Sequence, residues 1–129
     1  MSASSRRFFI ICVLLLTLAA CNGRNSQQTD NADIRIIAAV ASTQVGQTEL
    51  IITVTDSAGN PLNDASVSVK GDMSHAGMTP VLAEVSSGSE GIYKMPFEWT
   101  MGGDWIVTVE VTLPDGRTAT QSFNYTITN

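Results

Sequence analysis

Thiols and imidazoles are scarce in this chain, which has two cysteines and one histidine among 129 residues. Cys12 lies inside an N-terminal apolar run and Cys21 follows closely behind it. From Asn22 onward, therefore, no disulfide can form and no thiolate is available to a metal. A single imidazole, His75, excludes a zinc centre built on several histidines. No Gly-x-Ser-x-Gly elbow accompanies it, so a nucleophile–base pair has no recognisable setting and the chain reads as a non-enzyme. Charge is sparse and leans to one sign: 7 Lys and Arg stand against 12 Asp and Glu, for a net charge of −5. That balance argues against nucleic acid as a partner. The longest apolar run, residues 8–16 (FFIICVLLL), is too short to span a bilayer comfortably.

Arg6 and Arg7, the apolar run and the small residues after it have the order of an export signal. Leu18-Ala19-Ala20-Cys21 then resembles the lipobox of bacterial lipoproteins, a family in which the cysteine is lipidated and becomes the mature N-terminus. The resemblance implies a lipoprotein signal peptide over residues 1–20 and a lipid on Cys21. Attachment to the membrane would come from acyl chains and not from the protein surface. Asn22 stands where an aspartate would resemble the inner-membrane retention signal of enteric bacteria. The expected place is the cell envelope: the outer membrane facing the periplasm in a Gram-negative host, otherwise the outer face of the cell membrane. Losing Arg6 and Arg7 with the signal takes the net charge from −5 to −7. Residues 22–33 (NGRNSQQTDNAD) have no hydrophobic residue beyond alanine, so with Cys21 they form a flexible tether over 21–33. Residues 34–129 suffice for one small domain.

Within that domain the hydropathy pattern has period two, and Val, Ile and Thr are abundant. It predicts strands over 34–41, 49–55, 65–70, 81–85, 92–99, 105–113 and 117–128. Trp105, Val107, Val109, Val111 and Leu113 share one face, and Pro114-Asp115-Gly116 turns the chain into the last strand. No stretch has convincing helical periodicity. Seven short strands favour an all-β, immunoglobulin-like antiparallel β-sandwich, which apolar burial and the two tryptophans must hold together without a disulfide.

Every methionine except Met1 falls between Met73 and Met101, and the histidine lies among them in Asp72-Met73-Ser74-His75-Ala76-Gly77-Met78. Thioether and imidazole are ligands that copper(I) accepts in low coordination numbers. Strand parity divides the group. Met95 shares a face with Tyr93, Phe97 and Trp99 and is expected in the core. Met101 lies past that strand, at a rim. In an extended segment Met73 and His75 project to one side, and Ala76-Gly77 permits a bend that returns Met78 toward them. Methionine is also ordinary packing material. Residue types alone leave open a metal site of Met73, His75, Met78 and Met101, or two methionines plugging the sandwich beside a solvated histidine.

Several short motifs occur in a set order. They are Asp56-Ser57-Ala58-Gly59-Asn60-Pro61-Leu62 with Ala65 and Val67, then Met73 and Met78. Gly91-Ile92-Tyr93 and Met101-Gly102-Gly103-Asp104-Trp105 follow, the latter leading into Ile106-Val107-Thr108-Val109. In this combination the chain resembles the YtkA-like family, which is related to FixH-like domains. It departs from that pattern in one extra glycine before Trp105 and in a histidine inside the methionine loop. The resemblance implies an exported β-sandwich associated with copper handling and with assembly or maintenance of membrane metalloproteins. Its expected partners are the membrane, through the lipid anchor, and a membrane metalloprotein or copper transporter. Copper(I) is the expected cofactor or cargo. Thioethers hold it at any biological pH, whereas His75 would make binding pH-sensitive. The rival expectation is a non-catalytic structural or interaction module of an envelope complex.

Overall fold

The computed structural model describes residues 33–75 and 77–129. The expected signal peptide over 1–20, the expected lipidation of Cys21 and nearly all of the expected 21–33 tether lie outside the described residues. Alternating side chains become seven strands: β1 (Ile34–Val40), β2 (Gly46–Asp56), β3 (Ser66–Met73), β4 (Val81–Val85), β5 (Ile92–Trp99), β6 (Gly103–Thr112) and β7 (Thr118–Ile127). They form two antiparallel sheets, β1-β2-β5 and β4-β3-β6-β7. This is the expected immunoglobulin-like sandwich, with β4 joined to β3 in the larger sheet. The described residues contain no helix.

Parity decides which side chains meet between the sheets. Tyr93, Met95, Phe97 and Trp99 of β5 are buried, while Ile92, Lys94, Pro96 and Glu98 face outward. Trp105, Val107, Val109 and Val111 of β6 supply the opposing layer. Each large apolar side chain buried in this way stabilises the fold by roughly 1.5–3 kcal/mol relative to exposure. No polar or charged residue is buried among those described.

Aromatic rings join the sheets where a disulfide is lacking. Trp99 on the smaller sheet packs edge-on against Trp105 on the larger one, with ring centroids 5.3 Å apart, and lies 5.7 Å from Tyr125. Both indoles find acceptors, as buried indoles usually do: Trp99 Nε1 donates to the Ser42 carbonyl at 2.8 Å and Trp105 Nε1 to the Met101 carbonyl at 2.9 Å. The Tyr125 hydroxyl donates to the Ala38 carbonyl at 3.1 Å, tying β7 to β1. Burial raises the pKa of that phenol, which keeps it a neutral donor.

The ladder between β3 and β6 extends further than the hydrophobic pattern predicts. β3 runs on to Met73, where Met73 pairs with Trp105. Gly71 occupies the inward position that interrupts the apolar alternation. A Cβ there would lie 2.5 Å from Phe97 Cζ, so the ring fills the space that a side chain would otherwise take. The strand directions and the bonds between Thr128 and Thr43 and Val45 bring residues 41–45, 74–75, 77–80, 100–102 and 128–129 to one end. Ile34, where the chain enters the sandwich, lies at the other end.

Candidate metal centre

Met73 is the last residue of β3 and faces inward, 7% exposed. The backbone N–H of Ser74 donates to the Asp104 carbonyl at 3.1 Å, so the β3–β6 pairing continues one residue beyond the strand. His75 consequently returns to the side that Met73 occupies. The convergence appears at Gly103: a Cβ placed there would stand 2.9 Å from Met73 Cε and 3.8 Å from His75 Cε1. Neither Met78 nor Met101 comes within 4 Å of that point.

The remaining candidates occupy different settings. Met101 lies in the 100–102 turn, 47% exposed, and its carbonyl is held by the buried indole of Trp105. Met78 follows Gly77 and is half-buried against the edge of the core. Met95 is 2% exposed and opposite Leu50 in mid-sheet, as parity predicts for a packing residue. The structure thus brings Met73 and His75 together and puts Met101 in the adjoining turn, while Met78 serves the core edge. The His75 imidazole is solvent-exposed and makes no hydrogen bond or ion pair among the described residues.

Neighbouring carboxylates are engaged elsewhere. Asp72 pairs with Lys70 at 3.1 Å, and Asp104 accepts a hydrogen bond from the Thr126 hydroxyl at 2.9 Å. Among the described residues no three His, Cys, Asp or Glu side chains gather into a group able to hold a metal. A hard-ligand centre therefore lacks donors there. The side chains that approach one another carry soft donors, a thioether and an imidazole, beside a residue that has no side chain. That set fits a low-coordinate soft cation. The sequence around Gly103 carries no signal of this approach. The importance of the glycine depends on a contact across strands that no spacing rule reveals.

These features describe a seven-stranded sandwich with thioether and imidazole groups at one rim. Residues 26–110 match the YtkA-like family, and the chain belongs to that family. The matched segment includes Met73, His75, Met78, Met101 and Gly103. No curated protein matches the chain. Among solved structures, the PmoD soluble domain from a Methylocystis species is similar at 15% sequence identity and a TM-score of 0.47, covering 81% of this chain and 99% of that one.

Proposed function

We propose that the chain is an exported, lipid-anchored copper(I)-binding protein that acts as a copper chaperone or copper-handling accessory at the cell envelope. The observation that carries this reading is the approach of Met73 Cε and His75 Cε1 to one point beside Gly103, in a chain with no cysteine after Cys21. Membership of the YtkA-like family and the copper association that the sequence resemblance implies support it.

The donors divide the work of holding and releasing the ion. Met73 is fixed by the core and provides a rigid anchor; His75 and Met101 are exposed and can exchange with a partner's ligands. The first strand begins at the end of the sandwich opposite the rim. The partner is a membrane metalloprotein or copper transporter. The acidic surface selects against nucleic acid, and the role is binding without catalysis.

Anaerobic titration of copper(I) against a competing chromogenic chelator tests the reading. Stoichiometric capture is expected, with roughly tenfold or greater weakening in His75→Ala and Met101→Ala. Wild-type protein that takes no copper from the chelator removes the copper function. A second reading, an interaction module of an envelope complex, is favoured by a different surface. Leu82 on edge strand β4 is 71% exposed beside a groove of about 390 Å³ lined by Lys70, Glu84, Thr108 and Glu110. Exposed apolar surface on an edge strand suits pairing with another chain.

A further inference from the structure

Gly103 opens β6 with φ at +132°, a conformation that strains any residue with a side chain. It also faces the Met73 methyl so closely that an L side chain there must push Met73 aside. Met73 is 7% exposed at the end of β3 and the approaching atom is its terminal methyl, so a side chain at 103 acts by swinging that methyl away from Gly103 and not by breaking the backbone. Gly103 and His75 therefore lie together in space. A bare backbone at 103 is the condition for the Met73 methyl and the His75 ring to share one point.

We propose that Gly103 is the positioning residue of the copper(I) site. By presenting no side chain it lets Met73 and His75 close into the primary ligand pair, with Met101 of the adjoining turn as the third donor and Met78 left to packing. This assignment rests on the copper reading above and goes beyond it by fixing which donors act together and what holds them.

The test uses the full chain and begins without metal. A nuclear Overhauser contact between the Met73 methyl and the His75 ring proton on Cε1 is expected in the copper-free protein. Its absence overturns the proposal. Gly103→Ala is expected to abolish that contact, weaken copper(I) binding by roughly 10–100-fold, the usual cost of disturbing a group that orients metal ligands, and remove the nitrogen donor from the copper X-ray absorption spectrum.

Gly46→Ala separates strain from space. Gly46 has φ at +120° and nothing within 4 Å of a Cβ, so this variant carries similar backbone strain without filling the site. It is expected to lower the melting temperature yet keep the copper affinity and the nitrogen donor. Gly103→Ala protein that retains wild-type affinity, or Gly46→Ala protein that loses as much, overturns the role of Gly103 and leaves the copper function standing. Wild-type protein that fails to bind copper(I) removes both.

Discussion

Both ends of the sandwich fasten their turns with hydrogen bonds, and they differ in what is left exposed. At the end where the chain enters, hydrogen bonds fasten turns. The Tyr93 hydroxyl donates to the Leu62 carbonyl at 2.6 Å and accepts from the Ala65 N–H at 3.0 Å, and the Asn63 side chain accepts from the Gly91 N–H at 2.6 Å. Asp56 takes the backbone N–H groups of Ala58 and Asn60 together with the Asn60 side-chain amide. At the other end, packed rings of Trp99, Trp105 and Tyr125 make a floor, and the donors above it, His75 and Met101, remain exposed. The difference teaches that both ends close the fold, while only the rim also leaves a histidine and a methionine exposed above its packed rings.

Removing the aromatic floor is the strongest way to break this contrast. Trp99→Ala should cost about 3–5 kcal/mol in urea denaturation, as expected for truncating a buried aromatic between two sheets. A loss below about 1 kcal/mol would show that the rim does not depend on its rings. Met95→Ala comes next, at about 2–5 kcal/mol, with copper(I) affinity unchanged because Met95 lies in mid-sheet. Copper affinity lost at constant stability would move Met95 from the core to the ligand set.

At the entry end, Tyr93→Phe should cost about 1–3 kcal/mol by leaving the Leu62 carbonyl and the Ala65 N–H without their partner. Exposed His75→Ala, by contrast, should change stability by no more than about 0.5 kcal/mol, measured by thermal melting. A large stability loss there would make the histidine structural and blur the contrast.

The smallest effect is a pH dependence at the Asp56 turn. The Asn60 side-chain amide and the Asn60 and Ala58 N–H groups hold its carboxyl below the ordinary value of 3.8. A depressed folded value means the contribution is full above 3.8 and is lost as pH falls through that lower value. The melting-temperature gap between wild type and Asp56→Ala should therefore close on strong acidification. A gap that stays constant would mean the carboxylate charge plays no part in the turn.

The strands were readable because one face of each is buried and the other wet. β5 is the clearest case, with Tyr93, Met95, Phe97 and Trp99 alternating against exposed neighbours, and its predicted range of 92–99 matches the observed one. The predicted third strand ends at residue 70 and the observed one at Met73, because Gly71 removes the apolar signal at one inward position. Phe97, distant in sequence, supplies the missing volume. The candidate site was legible only as a collection of residue types. Parity put Met95 in the core and Met73 with His75 on one side, both as observed. It could not separate Met78 from that pair, since the path of the chain beyond Gly77 depends on packing against the core edge.

By itself, then, the sequence determined the seven-stranded sandwich, the absence of any thiolate ligand beyond Cys21 and the list of soft donors, because alternation and composition are local properties. The tertiary structure decided which donors meet. Met73 and His75 both approach Gly103 because the β3–β6 ladder continues through Ser74 and Asp104, and that pairing joins residues some thirty positions apart. Cross-strand register is a cooperative property of both sheets, and no single segment encodes it.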